Sequence, residues 1–429
     1  MKTYTITDIN GFGDGVTRLD NKAVFVPKTL PQDQVSLDNI QDFKRYSKAL
    51  HREIVTKSPH REAPLCEHFD LCGGCQIQGA NKSSYPHIKL QIFKNLSRHT
   101  LKDSVQEIVL GDKTTNFRNK AVFNFSKQNS QLFYNDILGE QLTIQSCPIL
   151  EDSLQKILST LQEVLPNYPR FIEQNLKKVL LKSLPNQKPI LGFDIKQHSD
   201  NQSLLEEFSL DLQEEVSGIF YFHSPSSHFA VTKPKWIINP KDAYEEINDL
   251  KVPYSPEMFF QSNREIMSKI YSTISQWVKA GQFKNVLDLY TGVGGTLFSM
   301  NRDINFGLGL EVNPQSIQVA NSLKSKGKFT KLKFQTTNLP RGLKNALRDQ
   351  PSFDLCMVNP PRKGLGQKMI QTTASLLPND LIYLSCNPQT LESDLKQFYK
   401  EGYQLKSCKV FDMFPWTNHF ETLVHISKV

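Results

Sequence analysis

The sequence contains no run of 18 or more apolar residues, and no basic segment followed by an apolar one stands at its start. The first absence argues against a membrane-spanning helix and the second against a secretory leader. Internal repeats and low-complexity segments are also lacking, which argues against solenoid and disordered proteins. These absences predict a cytoplasmic globular protein with no membrane partner, and we expect it to be monomeric.

Cysteine is scarce and odd in number, with seven residues in 429. An odd count in a chain without a leader argues against a disulfide framework, so metal binding or catalysis is the expected use of these thiols.

Acidic residues are missing from one long stretch. Residues 323–348 carry eight Lys or Arg and no acid, and residues 80–130 carry nine against three. Solvated helix faces would explain either stretch alone. Two basic stretches in one chain favour a polyanionic partner such as RNA.

The length predicts two or three domains. Residues 1–57 read as short strands separated by Gly and Pro, which predicts a small OB-type β-barrel. Residues 58–254 begin with a Cys-, Gly- and His-rich segment and continue as a mixed α+β domain. Residues 255–429 alternate compact apolar strands with helical segments, which predicts an α/β domain built on a parallel, Rossmann-like sheet.

A cofactor site is predicted where the first of these strands, Val286–Tyr290, meets a glycine-rich turn that includes Gly292. Glu311, at the end of the next strand, is placed to bind both hydroxyls of a ribose. The turn lacks the spacing G-x-G-x-x-G, and Asp288 would repel a pyrophosphate but suits an ammonium group. S-adenosylmethionine is therefore favoured over NAD. Asn338 is a candidate for the adenine edge, and a helix cap or turn explains it equally well.

Cys386 follows the apolar strand Leu381–Ser385, at the sheet edge where ligands bind in such folds. A cysteine there is by default a small core residue. Asn359-Pro-Pro-Arg362 ends the preceding strand at the same edge and could hold a polar side chain beside a planar base. Near the C-terminus, Glu421 and His419 are the titratable candidates for a general base.

Together these residues match one reaction. Uracil C5 is a poor nucleophile, and a thiolate that adds to C6 makes it an enolate carbon able to attack a sulfonium methyl group. A base must then remove the C5 proton so that the thiolate can leave. A purely structural Cys386 would explain neither Glu421 nor the edge position of Asn359.

Over essentially its whole length, the chain resembles the RNA uracil-5-methyltransferases, in particular the iron–sulfur-containing branch that acts on 23S ribosomal RNA. "SCNP" is similar to the family's nucleophile motif and "DMFPWTNHFET" to its general-base motif, which implies Cys386 as nucleophile and Glu421 as base. "SPEMFFQSN" resembles an element that implies Phe259 and Gln261 beside the target base or cofactor.

The resemblance has further implications. Residues 1–57 resemble a TRAM domain, an OB-type RNA binder, and "NFRNKAVFNF" implies Arg118 and Lys120 as RNA contacts. The predicted cofactor contacts are thus Gln261, Asp288, Tyr290, Gly292, Glu311, Asn338 and Asn359. The predicted substrate contacts are Phe259, Asn359, Arg118 and Lys120.

Four cysteines form a separate candidate site: Cys66-x5-Cys72-Gly-Gly-Cys75, with Cys147 far downstream. Their spacing alone permits zinc or a [4Fe–4S] cluster. The resemblance implies the [4Fe–4S] cluster, in a structural role.

Asn359 departs from the family pattern, which has aspartate there. An amide can donate to O4 and accept from N3–H of uracil, so we expect the enzyme to be active. Its substrate could instead be transfer RNA. The same residues also permit an adenine amino-methyltransferase that uses Asn359, or a non-catalytic RNA-binding factor.

Overall fold

The computed structural model describes residues 2–97, 100–169, 176–196, 201–224, 231 and 233–428. The chain divides into two compact units, one formed by residues 1–62, 79–111 and 265–429, the other by residues 63–78 and 112–264. The predicted domain boundaries near 57 and 254 stay predictions. Residues 79–111 group with the outer segments in the first unit, where their helix buries Lys89 against a loop near the C-terminus.

The first unit begins with a six-stranded sheet in the order β1-β5-β6-β4-β3-β2. Its strands are β1 (Thr3–Thr5), β2 (Asp8–Ile9), β3 (Gly15–Leu19), β4 (Lys22–Val26), β5 (Gln34–Asp42) and β6 (Tyr46–Thr56). Pairing is antiparallel except between β4 and β6. Residues 3–9 bond to β5 on one side and to β3 on the other, so the sheet closes on itself around Val24, Val26 and Val35.

Short elements follow the closed sheet in the same unit: α1 (Tyr85–Leu96), α2 (Thr100–Ser104) and β7 (Ile108–Val109). The sequence supports a helix over α1 because its buried residues, among them Ile88, Ile92 and Leu96, recur at the spacing of one helix face.

The second unit contains a seven-stranded sheet in the order β10-β9-β8-β11-β12-β13-β14 and a separate hairpin. The elements are β8 (Lys120–Ser126), β9 (Gln131–Asn135), β10 (Gln141–Thr143), α3 (Asp152–Val164), β11 (Leu176–Lys182), β12 (Ile190–Ile195), α4 (Asn201–Leu210), β13 (Gly218–Phe222), β14 (Lys235–Ile238), β15 (Tyr244–Ile247) and β16 (Leu250–Pro253). The apolar face of α3 packs with the inner residues of this sheet in one buried core.

The rest of the first unit is an eight-stranded sheet in the order β19-β18-β17-β20-β21-β23-β22-β7. Its elements are α5 (Arg264–Ala280), β17 (Asn285–Leu289), α6 (Gly295–Met300), β18 (Phe306–Glu311), α7 (Pro314–Lys326), β19 (Leu332–Thr336), α8 (Leu343–Leu347), β20 (Leu355–Val358), α9 (Gln367–Thr373), β21 (Asp380–Ser385), α10 (Pro388–Lys400), β22 (Tyr403–Phe411) and β23 (Glu421–Lys428). Strands β17 to β21 are parallel, as predicted, and β23 runs antiparallel between β21 and β22.

Two strand-to-helix turns share one device. Asn313 and Asn387 each cap the following helix by accepting a backbone hydrogen bond, and each precedes a proline at the first helical position. The two turns follow the carboxyl ends of the parallel strands β18 and β21. No helix in the described part of the chain is both long and apolar enough to cross a membrane.

Candidate active site

The glycine-rich turn after β17 has the left-handed backbone that glycine favours, with φ of +56° at Gly292 and +86° at Gly294. A Cβ added at Gly294 would lie 2.6 Å from the Phe334 ring, whereas one at Gly292 would meet nothing within 4 Å. The turn is therefore packed on one side and open on the other. Tyr290, also left-handed at +62°, is half-buried beside the opening.

Glu311 is held at the end of β18 by three backbone N–H groups. Gly292 donates to one carboxylate oxygen at 3.2 Å, and Val312 and Asn313 donate to the other at 2.8 and 3.0 Å. A carboxylate fixed in this way keeps lone pairs for two neighbouring hydroxyls, the pair that a ribose presents.

Asp288 lies inside the sheet, only 1% exposed, and accepts a 2.6 Å hydrogen bond from the Thr291 hydroxyl. Burial raises the pKa of Asp288 to about 7, while Thr291 lowers it and the charge of Glu311 raises it. Its carboxyl group therefore braces the turn from within.

The structure brings two further predicted residues to this sheet edge. Asn359 follows β20, is half-buried, and donates from its backbone N–H to the carbonyl of Leu289. Asn338 follows β19 and is exposed.

Cys386 and Glu421 come together through strand register. Ser385 pairs with Thr422 across the antiparallel strands β21 and β23. Cys386, which follows Ser385, therefore lies level with Glu421, which precedes Thr422. Cys386 is partly exposed and Glu421 is only 2% exposed. His419, the other candidate base, is exposed.

Arg362 links these two groups, and the sequence motif did not single it out. Burial raises the pKa of the Cys386 thiol, the charge of Glu421 raises it further, and the Arg362 guanidinium, which donates a hydrogen bond to the sulfur, opposes both. Burial also raises the pKa of Glu421 to about 8, again against the effect of Arg362. One cation thus stabilises the ionised form of both groups.

The Arg362 loop is tied to the start of α10. The Arg362 carbonyl accepts hydrogen bonds from Asn387 and Thr390. Asp394, buried on α10, accepts from the backbone of Leu365 at 2.7 Å and of Gly366 at 3.0 Å. Because α10 starts just after Cys386, the same helix fixes the backbone of both Arg362 and Cys386.

The segment before Glu421 rests on a buried ion pair. Lys89 of α1, fully buried, lies 2.8 Å from the Asp412 carboxylate and also donates to the carbonyls of Phe414 and Thr417. Tyr85 donates to the other Asp412 oxygen at 2.5 Å. A helix early in the chain thereby shapes the loop that leads to Glu421.

In the second unit, Phe259 is 75% exposed, and Gln261 is half-buried. The Gln261 carbonyl accepts a hydrogen bond from the Asn119 side chain, which itself accepts one from buried Lys182. The segment that carries Phe259 is therefore anchored to the sheet of that unit.

Arg118 and Lys120 are half-buried rather than extended into solvent. Burial lowers the pKa of Lys120. The Arg118 guanidinium donates to the Lys120 carbonyl and lies close enough to Cys147 to lower the pKa of its thiol. Arg118 thus faces the cysteine site, a neighbour that the sequence did not indicate.

The cysteine loop is fastened to the β9–β10 hairpin. Cys72 pairs with Asp136 in an isolated bridge, and Ile137 donates to the Leu71 carbonyl. Burial raises the pKa of Cys147 to about 12, and the charges of Cys66 and Cys72 add to it. The charges of Cys66 and Cys72 are thus felt by Cys147. In the described parts of the chain, however, no three His, Cys, Asp or Glu side chains form a group that could hold a metal ion.

Comparisons with known proteins indicate the family of the chain. Residues 91–429 match the family described as tRNA (Uracil-5-)-methyltransferase. An uncharacterized RNA methyltransferase of Protochlamydia amoebophila (strain UWE25) is 30% identical, over 99% of this chain and 97% of its own length. The crystal structure of Pyrococcus abyssi tRNA (uracil-54, C5)-methyltransferase with S-adenosyl-L-homocysteine has a TM-score of 0.74 at 19% identity and covers 99% of this chain and 100% of its own. At that identity the last likeness concerns the fold.

Proposed function

Because the chain belongs to the tRNA (uracil-5-)-methyltransferase family, we propose that it methylates C5 of a uridine in RNA with Cys386 as nucleophile and Glu421 as general base. The observation that carries this proposal is the shared arginine. A thiol and a buried carboxyl group lie across neighbouring strands, and Arg362 interacts with both.

The protein groups act in sequence. The Cys386 thiolate forms a bond to C6, and the C5–C6 electron pair moves toward O4 to give an enolate. S-adenosylmethionine, when bound, supplies an electrophilic methyl group to C5. Glu421 then accepts the C5 proton, the C5–C6 double bond re-forms, and the thiolate leaves. A pKa of about 8 for Glu421 suits a base that must accept and release a proton near neutral pH.

The sheet edge fits the cofactor. Gly292 offers open space, and the Glu311 carboxylate is fixed for ribose hydroxyls. We propose Tyr290, Asn338 and Asn359 as further cofactor contacts. Asp288 stays a predicted contact for the ammonium group of the cofactor, and Gln261 stays a predicted cofactor contact. Asn359 also suits uracil, because an amide can donate to O4 and accept from N3–H.

The proposed substrate is 23S ribosomal RNA, and transfer RNA is the second candidate because the matched family and the Pyrococcus abyssi enzyme carry that description. The closed sheet of residues 3–56 supports an OB-type, TRAM-like RNA-binding domain, since its β4–β6 parallel pair joins otherwise antiparallel strands. Phe259, Arg118 and Lys120 stay predicted RNA contacts. A cytoplasmic, monomeric state is likewise a prediction.

We also propose that Cys66, Cys72, Cys75 and Cys147 hold a [4Fe–4S] cluster. The donor set fits in number and type, and Arg118 supplies a cation beside it. Such a cluster would cross-link loop 66–75 to Cys147, in the segment that follows β10. Protein purified without oxygen should contain iron and absorb near 400 nm, and zinc in place of iron would refute the cluster.

The decisive experiment for the function uses 5-fluorouridine RNA, because fluorine at C5 cannot be removed as a proton and the adduct should persist. Wild-type protein with S-adenosylmethionine should form a covalent complex with a 23S fragment, and Cys386→Ala should form none. Cys408→Ala, which alters a partly exposed cysteine on β22, is the matched control and should react normally. RNA binding without an adduct or methyl transfer on either RNA would indicate a non-catalytic factor. Methylation without an adduct would indicate an amino-methyltransferase.

A further inference from the structure

The outer face of the closed N-terminal sheet carries a row of aromatic rings that the proposed reaction does not use. The Phe25 and Tyr46 ring centroids lie 5.1 Å apart, and those of Tyr46 and Phe43 lie 4.8 Å apart with the planes inclined by only 22°. Phe43 is 38% exposed and Tyr46 is 37% exposed. A stacked pair of rings is thus available at the surface.

Strand register places the row. Ala23 pairs with Tyr46 and Phe25 with Lys48 across the parallel strands β4 and β6. Val24 and Val26 point into the core, so the alternating residue Phe25 faces outward. Phe43 joins the row at the β5–β6 turn, where its backbone N–H donates to the Tyr46 carbonyl.

The charge around the rings is positive. Lys44 and Arg45 are exposed on the same turn. A carboxylate next to the turn, that of Asp42, is 2.8 Å from the Lys22 ammonium group and accepts a hydrogen bond from Ser47. Exposed rings flanked by cations are the combination that binds single-stranded nucleic acid, because every base can stack on a ring while its phosphate meets a cation.

We propose that the Phe43–Tyr46 stack binds an unpaired base of the RNA and that Lys44 and Arg45 contact the adjoining phosphates. The proposal rests on the proposed function for its ligand and names the surface that holds it. RNA is favoured over a protein partner because cations border the exposed rings, whereas the core of a protein interface is depleted of charge.

The test measures the affinity of the full chain for a fluorescent single-stranded RNA of about 12 nucleotides, a length within the range that one OB-type domain covers. Phe43→Leu, which keeps an apolar side chain but removes the ring, should weaken binding about tenfold. Lys44→Gln with Arg45→Gln should weaken binding and reduce its dependence on salt. A duplex of the same sequence should bind Phe43→Leu and wild type equally.

Phe12→Leu is the matched control, since Phe12 is 60% exposed on the β2–β3 turn of the same sheet, outside the stack. It should bind RNA as wild type does. Equal affinity of Phe43→Leu and wild type for single-stranded RNA would overturn the proposal. A loss of affinity that appears only when the RNA carries another bound protein would also overturn it.

The same variants separate this inference from the proposed function. With saturating 5-fluorouridine RNA, Phe43→Leu should form the Cys386 adduct to the wild-type extent, because only binding is weakened. If wild type formed no adduct while Phe43→Leu still bound RNA more weakly, the proposed chemistry would fail and the stacking surface would stand.

Discussion

Two cysteines of this chain, Cys386 and Cys147, each lie beside an arginine, and burial raises the pKa of both thiols. Their other neighbours differ in kind. Cys386 has a buried carboxyl group, Glu421, whereas Cys147 has further thiols, Cys66 and Cys72. A thiol with one arginine and one proton acceptor suits a reaction in which it attacks and then leaves. Several thiols around one cation suit the lasting coordination of a metal.

The two settings are also built differently. Cys386 lies at the end of a parallel strand, where regular register brings it level with Glu421. Cys147 depends on loop 66–75, which is fastened to a hairpin through isolated backbone contacts. The regular sheet thus sets the position of Cys386, whereas loop 66–75 would become more rigid on binding a cluster.

The largest expected effect distinguishes the two thiols directly. Cys386→Ala should lower methyl transfer by at least about 1,000-fold, since the nucleophile is lost, with little change in thermal stability. Cys147→Ala should leave adduct formation with 5-fluorouridine RNA in place and lower the melting temperature, because Cys147 packs against the core of the second unit. Turnover assays and thermal melts measure both. Equal loss of activity in the two variants would contradict the contrast.

Replacing the Glu421 carboxyl group tests whether it removes the C5 proton, the step that releases Cys386 from the RNA. Glu421→Gln should lower turnover by about 10² to 10⁴-fold. With ordinary uridine RNA it should accumulate the covalent complex, since addition and methylation proceed but the C5 proton stays. Denaturing gels with labelled RNA measure this complex. A slow variant without accumulated complex would assign Glu421 to an earlier step.

The same variant has an expected stability effect. The folded Glu421 carboxyl has a pKa of about 8, above its ordinary value of 4.5. Its contribution to stability is therefore complete below about pH 4.5 and is lost as the pH rises toward 8. Glu421→Gln should melt at least roughly 2 °C higher than wild type near pH 8, with the difference shrinking in acid.

Replacing Arg362, with Arg118 as the comparison, should have a smaller effect on activity. Arg362→Met removes the cation that lowers the pKa of Cys386 and Glu421, so both values should rise and the pH profile of activity should move to higher pH. Alkylation of Cys386 at neutral pH should slow by about several-fold, because a smaller fraction of the thiol is ionised. Arg118→Met is the matched control and should leave Cys386 alkylation unchanged. An unchanged pH profile for Arg362→Met would remove arginine from the proposed mechanism.

The smallest expected effect on the reaction rate comes from the Lys89–Asp412 ion pair, which holds the loop before Glu421. Lys89→Met alone should destabilise the fold by about 3 to 5 kcal/mol, because Asp412 is left as a buried charge. The double change with Asp412→Asn should restore much of that stability while the loop stays less well fixed. Proton removal from the isolated covalent complex should then slow a few-fold, measured by rapid quenching. A wild-type rate would show that the ion pair serves stability alone.

The sequence predicted the features that follow local pattern. Apolar runs located the parallel strands, and their ends located Cys386, Glu311 and Asn359 at one edge. The part played by Arg362 was not predicted, since it depends on how its loop is tied to α10. Lys89 was counted only as surface charge, because nothing local tells a buried lysine from an exposed one.

The Lys89 contact also has a consequence for folding during synthesis. Lys89 donates to the carbonyl of Phe414, 325 residues further along the chain. While the ribosome is still making the intervening residues, α1 carries an ammonium group whose counter-charge does not yet exist. A contact of such sequence separation forms late and closes slowly. We therefore expect the loop before Glu421 to be among the last parts of the first unit to become protected from hydrogen exchange during refolding.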